Sequence, residues 1–264
     1  MRPGGGARTR PREGARTGLR KRFGQHFLHD PGVIRRIVAA IAPAPGEEIV
    51  EIGPGQGALT RPLFERAGRL TAIEIDRDLA AELTGVFRSH ELKILREDAL
   101  KLDYASFPSG FRLVGNLPYN ISTPLLFHLS RSARHARDLH LMLQLEVVER
   151  MVAAPSTPEY GRLSVALQTR FEMKKLFDVA PGCFRPPPKV DSAVVRLFPL
   201  KQGPDCDEEI FDDLLRRAFS ARRKTLRNAL GLKDEAFAAL GIDPGLRPEN
   251  LSPADYLRIA RQAG

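Results

Sequence analysis

Cysteine is scarce in this chain of 264 residues: only Cys183 and Cys206 are present, with no C-x-x-C or other metal-ligand spacing. That argues against a disulfide scaffold and a structural zinc site, and the simplest setting is a reduced, cytoplasmic one without bound metal. Long apolar runs are also lacking. No stretch could span a bilayer, although 42% of the residues are hydrophobic, an ordinary share for a chain that buries a core. The first 22 residues have neither the apolar segment of a signal peptide nor the serine-rich amphipathic character of a transit peptide. No internal repeat is visible.

What that opening segment holds is arginine. Arg2, Arg8, Arg10, Arg12, Arg16, Arg20, Lys21 and Arg22 stand against Glu13 alone, a net +7 out of the chain's +9. A Gly/Pro/Arg-rich stretch with almost nothing to bury is expected to be a disordered basic tail over residues 1–22. Its arginines suit a phosphate backbone; a solvated extension without function is the alternative.

Past the tail, strand and helix signals alternate. Asp30-Pro31 reads as a helix cap with proline at the first helical position. Strands are predicted at Glu48–Ile52, Arg69–Asp76, Leu92–Leu95, Phe111–Val114 and Leu139–Leu143, with helices between them from near Ala58, Arg77 and Pro124. This order predicts a doubly wound, mostly parallel sheet. Residues 160–199 are mixed, with an extended link at Phe184-Arg-Pro-Pro-Pro-Lys189 and a strand from Asp191 to Phe198. Beyond Pro199 helices are predicted at Asp207–Phe219, at Arg222–Leu230 and after Ser252-Pro253, so a domain boundary is placed near residue 200.

In a parallel sheet of this kind, ligands bind at the carboxyl ends of the strands. Four such ends carry unusual residues here: Gly53-Pro-Gly-Gln-Gly57, Glu74, Asp98 and Asn116. The glycine loop, including Gly53 and Gly55, lets backbone approach a ligand. Glu74 suits the two hydroxyls of a ribose and Asp98 an adenine amine. Nothing supplies a pyrophosphate cradle, so S-adenosylmethionine fits better than a dinucleotide. Each carboxylate alone also reads as a solvated strand end.

Asn116-Leu-Pro-Tyr119 is the most specific stretch. The Asn116 side-chain oxygen and the carbonyl of Pro118 or its neighbour can accept both hydrogens of an exocyclic amine, drawing its lone pair toward an electrophilic methyl group. The Tyr119 ring can stack on the base that carries the amine. A strand-end turn is the plain alternative.

Together with Lys21-Arg-Phe-Gly-Gln-His-Phe-Leu28, Glu51-Ile-Gly-Pro-Gly55, Ile73-Glu-Ile-Asp76, Asn116–Pro124, Tyr160–Val165, Pro186–Ser192 and Arg222–Asn228, these motifs make the chain resemble the KsgA-type small-subunit (16S) ribosomal RNA adenine dimethyltransferases. The similarity runs from about Lys21 to Ala260. It implies an α/β fold, with a Rossmann-like class I methyltransferase domain over 23–199 and a small all-helical RNA- or ribosome-binding domain over 200–264. The implied activity is S-adenosylmethionine-dependent dimethylation of two adjacent adenosines near the rRNA 3′ end, on an assembling small subunit, by a monomer. The implied cofactor contacts are His26, Leu28, Gly53, Glu74, Asp98 and Asn116, with Tyr119 and Phe184 sandwiching the flipped base. Arg222, Arg223, Lys224 and Arg227 would face RNA phosphate, though most charge runs are solvated helix faces. Two positions depart from the family pattern: His26 stands where asparagine is usual, and Leu145 where lysine often stands. Two rivals share the fold, a large-subunit methyltransferase of the macrolide-resistance type and a non-catalytic assembly or nucleic-acid-binding factor.

Overall fold

Parallel pairing of short apolar strands builds the frame, because such strands bury both faces and need helices to cover them. In a computed structural model, residues 25–87, 90–132 and 134–263 are described; the basic tail expected over 1–22 lies outside them. The chain opens with a two-residue strand, β1 (Phe27–Leu28), and helix α1 (Pro31–Ile41). Asp30 caps α1 by accepting from the Val33 N–H at 2.8 Å, and Val33, Ile37, Val38 and Ile41 form its buried stripe. There follow β2 (Glu48–Ile52), α2 (Thr60–Ala67), β3 (Arg69–Ile73), α3 (Arg77–Val86), β4 (Leu92–Leu95), β5 (Arg112–Asn116), α4 (Ser122–Ser132) and β6 (Asp138–Gln144). Asp76 caps α3 by accepting from the Asp78 and Leu79 N–H groups, which explains the sharp strand-to-helix step after Glu74. The second half holds α5 (Leu145–Val152), α6 (Arg162–Gln168), β7 (Phe171–Val179), β8 (Phe184–Arg185) and β9 (Ser192–Pro199). It ends in four further helices, α7 (Glu208–Ser220), α8 (Leu226–Leu230), α9 (Asp234–Leu240) and α10 (Pro253–Ala263).

Seven strands form one sheet in the order β4-β3-β2-β5-β6-β9-β7. Those from β4 to β6 run parallel; β9 lies antiparallel between β6 and β7. The chain winds outward from β2 to β4, then crosses back to β5, so β2 and β5 meet at the point where the winding reverses. Apart from this sheet, β1 pairs with β8.

Two expectations need correction. The stretch read as mixed contains a nine-residue strand, β7: its outward Glu172, Lys174 and Lys175 look like loop residues, and the register shift between Lys175 and Phe177 breaks the alternation. The helix predicted from Arg222 begins only at Leu226, so Arg222, Arg223 and Lys224 lie in the turn before it. The packing also ties the last helices to earlier residues. Tyr160, Val165 and Ala166 share a core cluster with Phe211, Leu226 and Tyr256, and the Tyr160 hydroxyl donates to the Leu251 carbonyl at 2.8 Å.

At the opposite end of the sheet from the strand ends that carry the motifs, Arg112 is buried against Asp138 on the neighbouring strand through 2.9 and 2.7 Å bonds, and reaches Glu47 at 3.1 Å. Burial pushes the Asp138 carboxyl up, but His140 and Arg112 outweigh it and hold the group at about 2. Removing one member of such a pair strands the other as a buried ion. Arg112→Met should therefore cost about 3–5 kcal/mol of stability. Arg112→Met combined with Asp138→Leu should recover much of it, as read by chemical denaturation of both variants.

Candidate active site

The strand ends open into a cleft of about 400 Å³, mostly apolar in its lining. Backbone geometry at the winding reversal creates it. Ile52 of β2 pairs with Gly115 of β5, and the next residues, Gly53 and Asn116, start the two loops that part there. Gly115 has no room for a side chain: a Cβ would come within 2.8 Å of a Leu117 methyl and 3.0 Å of the Ile52 carbonyl. Gly55 has φ +55°, and a Cβ there would press within 2.9 Å of the Phe27 ring. Both glycines are thus required by close approach.

The cleft gathers His26, Leu28, Gly53, Gly55, Glu74 and Asp98, and with them Asn116, Pro118 and Tyr119. Glu74 is fixed at both oxygens, accepting from the Gly55 N–H at 3.3 Å and the Asp76 N–H at 3.0 Å. Burial raises its pKa, those backbone bonds oppose the rise, and Asp76 adds to it. Asp98 accepts from the Leu100 N–H at 3.0 Å through one oxygen, Oδ1. Asn116 donates from Nδ2 to the His26 carbonyl at 3.0 Å. That bond orients the amide so that Oδ1 is left as an acceptor. The Pro118 carbonyl closes a turn with the Ile121 N–H at 3.2 Å, which fixes the backbone of the tetrad. The His26 ring lies 5.3 Å from the Tyr119 ring, centroid to centroid, and its Nδ1 donates to the Pro186 carbonyl at 2.7 Å.

Glu51 is a cleft residue that sequence reasoning passed over. It is 2% exposed, Oε2 has no hydrogen-bond partner among the described residues, and its pKa is pushed up to about 7. Burial is the main cause; the nearby Thr60 hydroxyl offsets part of the shift and the Glu74 carboxylate adds to it. An acid inside a parallel strand was the available signal, since such a residue is buried wherever the strand is. A buried carboxylate with one free oxygen beside a second acid makes a seat for a cation. Among the described residues no group of three or more His, Cys, Asp or Glu side chains could hold a metal ion, and no helix is long and apolar enough to cross a membrane.

A family profile described as ribosomal RNA adenine dimethylase matches residues 16–263. The chain belongs to that family. Relatives named ribosomal RNA small subunit methyltransferase A, from Aromatoleum aromaticum and Thiobacillus denitrificans, are each 57% identical over 244 residues. These alignments cover 91% of this chain and 92% and 96% of those proteins. Among solved structures, a dimethyladenosine transferase from Plasmodium falciparum aligns with TM-score 0.79 and 28% identity, covering 89% of this chain and 96% of that one. The 23S rRNA methyltransferase ErmE aligns with TM-score 0.67 and 27% identity, covering 88% and 97%. The expected Rossmann-like class I methyltransferase sheet with a helical C-terminal part agrees with these neighbours. As a member of the ribosomal RNA adenine dimethylase family, the protein is an rRNA adenine methyltransferase.

Phe184 sits in the core rather than on the cleft wall. It was expected to face the base across from Tyr119, but it is 2% exposed, packs in the core with Leu28 and Val33, and does not line the cleft. The pairing of β8 with β1 (Phe184 opposite Leu28) draws the ring inward, although the adjacent proline run looks exposed in sequence. The four basic candidates also differ from one another. Arg222 clasps Glu249 at 2.8 Å and the Pro158 carbonyl at 2.9 Å, and Arg227 pairs with Asp234 at 2.7 Å. Arg223 and Lys224 are exposed and carry no ion pair among the described residues. None of the four lines the cleft. The position of Leu145 is the first residue of α5.

Gly115→Ala should act where the two strands part. The added methyl must displace the Leu117 side chain or the Ile52 carbonyl, at a cost of about 1–3 kcal/mol. A lowered thermal midpoint together with weaker ligand binding in the cleft is the expected result, measured by thermal shift and calorimetry on the purified variant.

Proposed function

We propose that the cleft binds S-adenosylmethionine and dimethylates two adjacent adenosines near the 3′ end of small-subunit rRNA, on an assembling small ribosomal subunit. The observation that supports this reading is Asn116, whose amide nitrogen is tied to the His26 carbonyl, leaving its oxygen free to accept from a substrate amine. Glu74 would accept from the ribose hydroxyls, Asp98 from the adenine amine and Glu51 would face the ligand's positive charge. Gly53, Gly55 and the backbone of His26 and Leu28 would line its path. When bound, the cofactor supplies an electrophilic methyl group on a sulfonium.

The chain's own work is positional. Asn116 Oδ1 and the carbonyl of Leu117 or Pro118 accept the two hydrogens of the target amine, turning its lone pair out of conjugation. Tyr119 stacks on the base and sets the angle of approach. No general base is needed before attack, because the amine can lose its proton after the methyl group has arrived. Arg223 and Lys224, with Arg222 and Arg227 beside them, would hold rRNA phosphate from the helical part. The small subunit is favoured over the large by the relatives at 57% identity, against 27% for the 23S enzyme. We expect a monomer in the cytoplasm that needs no metal.

Asn116→Ala removes one of the two amine acceptors and should lower turnover by about 100-fold or more while cofactor affinity falls far less. Near-normal turnover on small subunits lacking the modification would refute this role. Cofactor binding should also depend on pH. The cationic ligand prefers ionised Glu51, whose carboxyl is pushed up to about 7, so binding strengthens as pH rises and expels a proton at lower pH. Affinity at pH 6 should be about tenfold weaker than at pH 8, and Glu51→Gln should flatten the profile in calorimetric titrations.

A further inference from the structure

The ring of Tyr119 is held from two sides, and one of the holds comes from Ser192, the last residue of the Pro186–Ser192 stretch, to which no role has been given. The Tyr119 hydroxyl lies 2.6 Å from Ser192 Oγ. Ser192 is completely buried and is the first residue of β9, opposite Gln144 of β6 and Val179 of β7, so three strands fix its position. On the other side, the His26 ring sits 5.3 Å from the Tyr119 ring at 34°. The same His26 residue accepts the Asn116 amide through its carbonyl.

From this geometry we infer that Ser192 is a positioning residue for methyl transfer, tethering the Tyr119 hydroxyl to the sheet so that the ring offers a fixed face to the target adenine. The inference rests on the methyl-transfer reading of the cleft. A tyrosine anchored only at Cβ can turn about two side-chain torsions, and a base stacked on it turns too. Anchoring the far end removes that freedom before the base arrives. The angle between the amine lone pair and the incoming methyl group is then set by β9 rather than by a loop. Ser192 touches neither base nor cofactor in this scheme; it acts only through Tyr119.

A double-mutant cycle tests it. Ser192→Ala and Tyr119→Phe each delete one side of the bond, and each should lower kcat/KM on small subunits about threefold to tenfold. Cofactor affinity should stay unchanged. The double variant should be no slower than Tyr119→Phe alone, because Ser192 has no other route to the reaction. Losses that multiply would overturn the proposal, as would a Ser192→Ala enzyme of normal kcat/KM. A second readout does not depend on turnover. With 3-fluorotyrosine at the chain's four tyrosines, the fluorine resonance assigned by Tyr119→Phe should move in Ser192→Ala, and an unmoved resonance would refute the contact. A wild-type protein that transfers no methyl group to any subunit would sink the methyl-transfer reading instead, and the Tyr119 resonance would then decide the tether by itself.

Discussion

The pairing of β2 with β5 is the constraint on which the site depends. Because these two parallel strands are neighbours in the sheet but distant in sequence, the loops leaving them must part, and the parting is the cleft. Gly115 keeps the strands close up to the last shared rung, opposite Ile52. One residue later, Asn116 reaches back to the His26 carbonyl, so its amide is anchored to the segment before β1 rather than to its own strand. The glycine loop and the Asn116 amide are thereby placed by a single piece of backbone geometry.

Electrostatics complete what the backbone begins. Two acids, Glu51 and Glu74, share a largely dehydrated wall. Glu74 has both oxygens engaged by backbone N–H groups, and Glu51 keeps one oxygen without a partner among the described residues. The free oxygen of a buried carboxylate favours a cationic occupant. Asp138, at the other end of the sheet, has the opposite fate: its guanidinium partner Arg112 is built in, so it stays ionised and serves the fold.

Much of this was legible in the chain because strand ends punctuate it with chemistry. Glycine at 53 and 55, the acids at 74 and 98 and the asparagine at 116 all mark places where strands stop, and the structure brings all five into one cleft. What stayed hidden depends on pairing between distant segments. Phe184 reads as exposed beside three prolines, and only its pairing with Leu28, 156 positions earlier, turns the ring into the core. Strand β7 was masked by lysines and a register shift on a sheet edge. Glu51 is marked only as an acid inside a parallel strand, and Ser192 carries no local mark of burial. Their significance appears only when α2 and Glu74 close over the first and Tyr119 reaches the second.

Methyl incorporation from labelled S-adenosylmethionine into small subunits that lack the modification, with large subunits and naked rRNA alongside, tests the central claim most directly. The account predicts about four methyl groups per small subunit, two on each of two adjacent adenosines, and little elsewhere. Label confined to the large subunit, or none on any substrate despite binding to the small subunit, would contradict it.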